Sequence, residues 1–464
     1  MTRDSDSGPR DSKIARNNFL TTAVILSRIV PASTALAPEQ KPHSIKFVAA
    51  ASLIGTTIEW YDFFLYNTAA ALIFPRLFFP SFEPLTGALL SFATYTVGFI
   101  ARPLGGIVMG HFGDRLGRKS MLVLTLIIMG LATTLIGLVP TYAQIGVWAP
   151  ISLVVLRIVQ GFGVGGEWGG AVLMAVEHAP PGRRGFYGSW PQIGVPAGLA
   201  LSIAVFRLFS GSLPEDQFIT WGWRIPFVLS VLLVLVGLLI RVRILETPAF
   251  TKVKESGKES RMPIVEVLRT HPREVLYAAG ARMAENASFY IYSVFVLVYA
   301  TNRLQLSRDT VLTAVLAASL LEIVAVPLFG ALSDRLGRRP VYLFGAIVTA
   351  VFAYPLFWMF DTRSVPMIYA ALIVAFVFSH AAMYGPQAAF LSELFGARVR
   401  YSGASLGAQI SAVAAGGAAP LIATEILRRG YGRGALALYI IAMALITIAS
   451  VVAAAETHQR DVEH

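Results

Sequence analysis

The sequence contains no cysteine, and only 14% of its 464 residues are charged. Without cysteine, the chain forms neither disulfides nor thiolate metal sites. An ordinary soluble domain has roughly 25% charged residues, and a soluble chain of this length exposes too much surface to water to be so poor in charge. Because 55% of the residues are hydrophobic, we predict a protein embedded in a lipid bilayer.

The sequence also lacks the short motifs that are typical of nucleotide-binding enzymes and of metal sites. It has no phosphate-binding loop of the form GxxxxGK followed by Ser or Thr, and no metal-ligand cluster. Residues 161–166 fit the dinucleotide pattern GxGxxG, but they lie inside a predicted membrane helix with no strand before it, so the match is a false positive. We therefore predict that the protein is not an enzyme and holds no metal.

The formal net charge of the chain is +11. Nucleic-acid binding would need basic residues clustered with aromatic residues on a soluble face, and the sequence shows no such cluster. We expect no nucleic-acid partner. The basic residues are instead predicted to hold loops in the cytoplasm.

Residues 1–46 are polar and basic. Their apolar stretch, 19–30, has about twelve residues, which is too short to cross roughly 30 Å of hydrocarbon. It has no convincing small-residue cleavage site, so we do not expect a cleaved signal peptide. We predict a flexible cytoplasmic extension over residues 1–46, with a mis-assigned start codon as the alternative.

Twelve apolar segments that are long enough to span a membrane follow from Phe47 onward. They cover residues 47–73, 87–109, 120–139, 147–175, 186–209, 223–244, 275–300, 309–332, 340–360, 365–391, 401–426 and 434–455. Lys and Arg are concentrated in the loops that are cytoplasmic when both termini are cytoplasmic, with Arg428, Arg429 and Arg433 as the exception.

The predicted fold is therefore an all-α membrane protein with twelve transmembrane helices and cytoplasmic termini. Two pseudo-symmetric six-helix bundles are predicted over residues 47–244 and 275–455. Residues 245–274, rich in Lys and Glu, form a cytoplasmic linker between them, and residues 456–464 form a cytoplasmic tail.

A charged motif occurs twice, at half-chain spacing. Residues 110–119 read GHFGDRLGRK and residues 330–339 read GALSDRLGRR, so six positions repeat the same amino acid 220 residues later. In both copies one apolar segment leads to the motif and another follows it. This arrangement predicts a duplicated membrane hairpin with the motif as a charged ten-residue loop.

Twelve spans, a central linker and the repeated G-x-x-x-D-R-x-G-R, followed by Lys or Arg, resemble the major facilitator superfamily over residues 47–455. Further segments resemble its metabolite:proton symporter group. They are GTTIEWYDFF at 55–64, FIARPLGG at 99–106, LRIVQGFGVGGE at 156–167 and LETP at 245–248.

The resemblance implies a secondary transporter that takes up a small carboxylate or zwitterionic metabolite with protons by alternating access. The expected location is the cytoplasmic (inner) membrane, and the expected partners are the small-molecule substrate, protons and the bilayer. No cofactor is expected beyond the proton gradient, and a monomer is expected. A uniporter and a proton-driven exporter remain the alternatives.

The resemblance further implies that the repeated motif is a latch that holds the outward-open state. The gating residues are then Gly110, Asp114, Arg115, Gly117, Arg118, Lys119, Gly330, Asp334, Arg335, Gly337, Arg338 and Arg339. The alternative is charge that only sets the topology. A latch predicts that Asp114→Asn damages transport while membrane insertion stays intact.

Two carboxylates lie near the middle of the first predicted helix. Glu59 and Asp62 are about 18 to 22 Å from its cytoplasmic end at 1.5 Å per residue, and at i and i+3 they are predicted to share one face. An unpaired carboxylate at this depth costs about 2.5 kcal/mol or more, so it faces a wet cavity, pairs with a cation or is protonated. We predict that at least one of them exchanges a proton; an ion pair that only ties this helix to a neighbour is the alternative.

Three arginines lie inside predicted helices: Arg102 in helix 2, Arg157 in helix 4 and Arg282 in helix 7. A guanidinium stays charged and can bind a carboxylate through two hydrogen bonds. Arg102 is predicted to bind an anionic substrate or to pair with helix 1. Arg157 resembles the family's helix 4 motif, to which proton coupling is ascribed. Glu167 is a further candidate, although the glycines around it favour close helix packing.

Helices 7, 8 and 10 contribute polar residues in the second half of the chain. The candidate site residues are Arg282, Glu285, Asn286, Tyr290, His380 and Gln387, and helix 8 contributes Glu322. Arg282 and Glu285 can also simply neutralise one another. His380 can titrate near neutral pH, or it can be a hydrogen-bonded packing residue.

Overall fold

The structure is a computed structural model that describes residues 45–116, 118–165, 168–177, 179–243, 263–396 and 400–458. Every regular element in these ranges is a helix, and twelve long segments are numbered here in chain order. They are α1 Ile45–Leu72, α2 Pro84–Leu116, α3 Arg118–Leu138, α4 Trp148–Val164, α5 Arg184–Ser212, α6 Ile225–Arg243, α7 Pro272–Tyr290, α8 Arg308–Leu336, α9 Arg338–Asp361, α10 Val365–Glu393, α11 Arg400–Arg428 and α12 Gly432–Ala453.

Within the described ranges, eight helices are long and apolar enough to cross a membrane: α2, α5, α6 and α8 to α12. Helices α3 and α4 are shorter apolar helices, and α1 and α7 carry buried charges. The helices follow the order of the predicted spans, and the predicted all-α membrane fold is confirmed. An even number of spans puts the start of α1 and the end of α12 at the same end of the bundle, and its cytoplasmic location stays a prediction.

We call residues 45–243 the first half and residues 263–458 the second half. The predicted N-terminal extension lies outside the described residues, apart from the start of α1. From Pro263 onward, the predicted linker contains a short helix, Pro263–Thr270, whose Val267 is buried.

The repeated motif forms helix ends rather than the ten-residue loop that the sequence predicts. Helix α8 continues to Leu336 and α9 begins at Arg338, so Gly337 alone makes the turn, with φ of +101°. Glycine adopts positive φ without steric cost, and one residue therefore suffices. In the first copy, α2 ends at Leu116 and α3 begins at Arg118. We call the end of the bundle that holds both copies the motif end.

Three helices of the second half contain π-helical turns. They are Ile291–Phe295 and Tyr299–Arg303 after α7, Ala375–His380 within α10, and Ala412–Gly417 within α11. A π turn inserts an extra residue, so the side chains after it rotate relative to those before it, and such turns are frequent at functional sites.

Small residues let the two halves approach closely. A Cβ atom on Gly185 of α5 would lie 2.4 Å from the carbonyl oxygen of Gly330 on α8. On the other flank, the Thr96 hydroxyl of α2 donates a 2.7 Å hydrogen bond to the carbonyl oxygen of Gly417 on α11. Between these two contacts the halves enclose a cavity.

Candidate functional site

A central cavity lies between α1, α2, α4, α5, α7 and α11. Both halves of the chain therefore contribute to its wall. Its polar and aromatic lining consists of Thr56, Glu59, Trp60, Arg102, Gln192, Arg282, Asn286, Tyr290 and Gln409. The mixed polarity of the wall suits a small organic molecule.

Arg102 supplies a positive charge to the central cavity. Its guanidinium carbon lies 4.1 Å from the ring centroid of Phe99 and 4.7 Å from that of Phe63. Within the described residues, no carboxylate lies within 4 Å of this guanidinium. The aromatic faces stabilise the cation by cation–π attraction, and they leave its hydrogen-bond donors available to a ligand.

The two carboxylates of α1 have different surroundings. Glu59 lines the central cavity, whereas Asp62 is buried against α6 and accepts a 2.6 Å hydrogen bond from the Ser230 hydroxyl. Of these two residues, Glu59 lines the cavity and Asp62 does not. Residues three apart on a helix still differ by about 60° in direction, and this difference is enough to turn Asp62 toward α6.

Arg157 lies behind the cavity wall rather than in it. It is 1% exposed, its guanidinium carbon lies 4.1 Å from the ring centroid of Tyr66, and it donates a hydrogen bond to Gln160. Gln160 in turn donates a 2.9 Å hydrogen bond to the Thr133 hydroxyl on α3. Within the described residues, no carboxylate lies within 4 Å of Arg157, so neutral and aromatic groups hold this charge.

Glu285 on α7 is the centre of the polar network in the second half. Its Oε2 accepts hydrogen bonds from Arg282 at 3.2 Å, Asn286 at 3.1 Å and Gln387 at 3.0 Å. Arg282 and Glu285 do form the ion pair that their spacing allows. Because Arg282 and Asn286 also line the central cavity, this network begins at the cavity wall.

The network continues away from the cavity through His380 of α10. The Nε2 atom of His380 lies 3.4 Å from Oε1 of Glu285, and its Nδ1 atom is hydrogen-bonded to Oε1 of Glu322 on α8. Phe289 stacks on the imidazole with ring centroids 4.2 Å apart. His380 and Glu322 have no exposed surface, and Oε2 of Glu322 has no hydrogen-bond partner.

Sequence reasoning missed two features of this region. Gln192 of α5 lines the cavity, and its amide lies 3.4 Å from Oε1 of Gln387, so it joins the first half to the polar network. The signal was a single amide within the Gly- and Pro-rich α5. The second feature is the contact of Glu322 with His380. Spacing along one helix cannot predict this contact, because the two residues lie on different helices.

Tyr290 belongs both to the cavity wall and to an aromatic cluster between α1, α2 and α7. Its ring centroid lies 5.6 Å from that of Phe99 and 6.0 Å from those of Phe63 and Tyr95. These rings fill the space between the halves on one side of the cavity.

At the motif end, Asp334 joins the two halves directly. Its carboxylate accepts hydrogen bonds from the backbone N–H groups of Gly185 at 2.7 Å and Phe186 at 2.8 Å, at the start of α5. Arg338 forms a 2.7 Å ion pair with Asp334 and a 3.1 Å ion pair with Glu393 of α10. A carboxylate at a helix N-terminus is favourable because the free N–H groups and the helix dipole are both positive there.

The other motif residues of the second copy have different surroundings. Arg339 donates hydrogen bonds to the carbonyl oxygens of Val451 and Val452 at the end of α12, and Arg335 is exposed. In the first copy, Gly117 lies outside the described residues, as do the side chains of Asp114, Arg115, Arg118 and Lys119. Glu167 also lies outside them, and for these residues the gating and site assignments stay predictions.

The opposite end of the bundle also joins the halves. Arg207 of α5 forms a 2.7 Å ion pair with Asp309 of α8, and Arg308 lies 3.7 Å from Glu215. The central cavity therefore lies between two sets of contacts that connect the same pair of halves.

Comparison with known proteins gives a consistent family. Residues 52–420 match the model of the Major Facilitator Superfamily. The shikimate transporter of Escherichia coli (strain K12) is 42% identical over 402 residues, which is 86% of this chain and 92% of that protein. The inner membrane metabolite transport protein YhjE of the same organism is 40% identical over 417 residues, 89% of this chain and 94% of that protein.

The proline/betaine transporter of Salmonella typhimurium (strain LT2) is 34% identical over 424 residues, which is 89% of this chain and 84% of that protein. Among solved structures, the fold resembles that of a D-xylose-proton symporter with a TM-score of 0.69 and 19% identity, over 90% of this chain and 99% of that one. At that identity the likeness concerns the fold alone. The chain belongs to the Major Facilitator Superfamily and is a multi-pass membrane transporter rather than an enzyme.

Proposed function

We propose that the protein takes up a small carboxylate or zwitterionic metabolite together with protons across the cytoplasmic membrane. The observation that carries this proposal is Arg102, a buried guanidinium in the central cavity with aromatic neighbours and no described carboxylate within 4 Å. A cation in this setting gains most from an anionic group on a ligand, because the low dielectric strengthens the attraction and a guanidinium fits a carboxylate with two hydrogen bonds.

The rest of the cavity wall supports the same class of substrate. Arg282 offers a second guanidinium, and Glu59 offers a negative charge on the first half. A wall with both signs suits a molecule that carries a carboxylate and, in a zwitterion, an ammonium group. The names of the shikimate and proline/betaine transporters add support for acids and zwitterions, and that of the inner membrane protein supports the location.

Transport by alternating access requires the contacts at the two ends to break in turn. At the motif end, the bonds of Asp334 to Gly185 and Phe186 must open to release substrate on that side. At the opposite end, the ion pair of Arg207 with Asp309 must open to admit it. The proton gradient supplies the driving force in this proposal, no cofactor takes part, and a monomer suffices because one chain supplies the whole cavity wall.

The test is uptake by the purified protein in proteoliposomes, with a panel of labelled hydroxy acids, dicarboxylates and betaines and a pH-sensitive dye inside. Substrate should enter together with protons, so the dye should report acidification of the lumen. Arg102→Gln should weaken the apparent affinity for an acid roughly 10- to 150-fold, since hydrogen bonds to charged groups contribute about 1.5 to 3 kcal/mol. Arg76→Gln is the matched control, because Arg76 is exposed and does not line the cavity.

Wild-type affinity in Arg102→Gln would contradict the assigned anion site. Uptake without any proton movement would identify a uniporter. Movement of substrate out of the proteoliposomes, coupled to the entry of protons, would identify an exporter.

A further inference from the structure

We propose that Glu285, His380 and Glu322 form the proton-binding site of this transporter and that Arg282 couples this site to the substrate. The inference rests on the proposed function and deepens it, because it names the group that carries the proton. It places the proton in the second half rather than on the carboxylates of α1.

His380 lies between two carboxylates. One ring nitrogen of His380 contacts a carboxylate oxygen of Glu322, and the other lies 3.4 Å from a carboxylate oxygen of Glu285. Ionised carboxylates only accept hydrogen bonds, and a neutral imidazole has a single N–H. Two ionised carboxylates and a neutral imidazole have one N–H between them and can form one of these hydrogen bonds. Both contacts are hydrogen bonds only when the group of three binds one additional proton.

The charges of the group also favour an added proton. Glu285 and Glu322 carry two negative charges, and Arg282 is the fixed cation paired with them, at 3.2 Å from Glu285. One further proton makes this buried group neutral overall. Since an uncompensated charge in a buried, low-dielectric site is costly, the group favours the protonated form while Arg282 is its only fixed cation among the described residues.

The other groups that face the cluster leave this charge balance unchanged. Tyr290 from α7, Tyr342 from α9 and Tyr384 from α10 are close enough to interact with Glu285, and phenols are neutral at physiological pH. Helix α5 contributes the neutral amide of Gln192 through Gln387. The proton is therefore exchanged within the group of Glu285, His380 and Glu322.

Arg282 links this group to the substrate because it touches both. It lines the central cavity, and it donates to Glu285. A substrate carboxylate in the cavity competes with Glu285 for the guanidinium. When Arg282 turns to the substrate, Glu285 and Glu322 lose part of their compensating charge, so the bound proton is held more tightly. Thermodynamic reciprocity then requires that the bound proton favours the bound anion.

Symport needs this coupling, in which the bound proton and the bound substrate each favour the binding of the other. The proton passes from cavity water to Glu285 and on to His380, where it is shared with Glu322. After the cavity opens to the other side and the substrate leaves, Arg282 returns to Glu285, and the proton leaves by the same carboxylate. Asp62 takes no part, since it lies away from the cavity wall and is bonded to Ser230.

The test compares Glu322→Gln with the wild type in proteoliposomes. An imposed pH gradient of one unit drives roughly tenfold accumulation through one coupled proton, because one pH unit corresponds to about 1.4 kcal/mol. Glu322→Gln makes the group neutral without an added proton. We expect its accumulation ratio to fall from roughly ten to about one, with loss of substrate-induced acidification of the lumen, while exchange of labelled for unlabelled substrate persists.

Asp62→Asn is the matched control, a buried carboxylate of similar depth in the first half, and it should keep accumulation and acidification of the lumen. Wild-type accumulation by Glu322→Gln would overturn the proton site and leave the proposed symport intact. Absence of this acidification in the wild type would instead overturn the proposed function.

A second variant decides the matter if Glu322→Gln does not exchange substrate. In His380→Gln, substrate affinity should depend less on pH than it does in the wild type, whereas Glu285 and Arg282 remain. An unchanged pH dependence in His380→Gln would overturn the proposal.

Discussion

The two halves of the molecule bury charge in different ways. In the first half, Arg157 lies on an aromatic ring and bonds a neutral amide, and Asp62 bonds a hydroxyl. In the second half, Arg282, Glu285, His380 and Glu322 are in mutual contact. A charged group whose partners are neutral is little affected when another group is protonated. When charged groups contact one another, a single added proton changes the interactions of all of them.

This difference separates two tasks that a coupled transporter must perform. The first half supplies a fixed cation, Arg102, whose aromatic neighbours hold it in place. In the proposed symport, the second half supplies a group whose net charge changes by one when a proton binds. Its helices α7, α10 and α11 also carry the π turns, and within the described residues the first half has none. The two halves therefore differ in their buried contacts.

The largest effect is expected for Glu285→Ala. The change leaves the Arg282 guanidinium buried without its carboxylate and removes the acceptor of Asn286 and Gln387. Removal of one partner of a buried ion pair costs about 3 to 5 kcal/mol. Thermal unfolding in detergent should show this loss, and the double variant Arg282→Gln, Glu285→Gln should recover part of it.

Arg157→Leu is the comparison variant in the first half. It leaves no described carboxylate without a partner, so we expect a cost of at most about 2 kcal/mol from the lost cation–π contact. An equal loss of stability in Glu285→Ala and Arg157→Leu would break the contrast between the halves.

The next effect concerns the contact between the halves at the motif end. Asp334→Asn removes the charge and leaves one oxygen to accept from the two N–H groups of Gly185 and Phe186. A loss of about 1.5 kcal/mol in this contact is expected for a hydrogen bond to a charged group, which corresponds to roughly tenfold in the equilibrium between closed and open motif ends. Uptake rates should fall by a similar factor.

Arg335→Gln is the control for Asp334→Asn, because Arg335 is its exposed neighbour and loses one charge as well. Equal transport by both variants would mean that the motif acts only through its charge on membrane topology.

A smaller effect is expected for Asp62→Asn. The amide oxygen still accepts from Ser230, and the site is remote from the cavity wall, so stability should change by about 1 kcal/mol and uptake by less than about threefold. Stability is measured by thermal unfolding and uptake in proteoliposomes. A complete loss of proton-driven accumulation would move the coupling to the first half, in agreement with the α1 carboxylates as the sequence predicts them.

The smallest effect concerns Glu456, which follows α12 and accepts hydrogen bonds from the N–H groups of Arg338 and Arg339 at the start of α9. Partial burial alone would raise the pKa of this carboxyl, but the four backbone N–H groups of Arg339, Arg338, Thr457 and His458 together lower the pKa below its usual range. A lowered pKa stabilises the fold above the unfolded-state value and loses that contribution as the pH falls through the folded-state value.

Glu456→Gln should therefore destabilise the protein by less than about 1 kcal/mol near neutral pH, because solvent screens this half-exposed group. The difference in thermal unfolding from the wild type should shrink below about pH 4. A difference that is constant from pH 7 to pH 3 would rule out the carboxylate as the source.

The sequence predicted much of the fold. For the site, it predicted candidate residues but not which of them are in contact. The lengths of the apolar segments predicted the helices, and the depth of Arg102 and Glu59 within them predicted residues that do line the cavity. The spacing of Glu59 and Asp62 did not predict the bond between Asp62 and Ser230, because Ser230 lies on another helix, α6. The contact of His380 with Glu322 joins residues 58 positions apart on two helices, and no periodicity within one helix encodes it.

By itself, the sequence determined that the chain lies in lipid, that it crosses as twelve helices, that the motif repeats, and that several charges lie deep within the helices. These follow from length, hydropathy and charge, which act residue by residue. Only the tertiary structure decided which charges meet. The rotation of each helix, the extra residue in each π turn and the one-residue turn at Gly337 set those contacts, and they depend on packing between segments far apart in the chain.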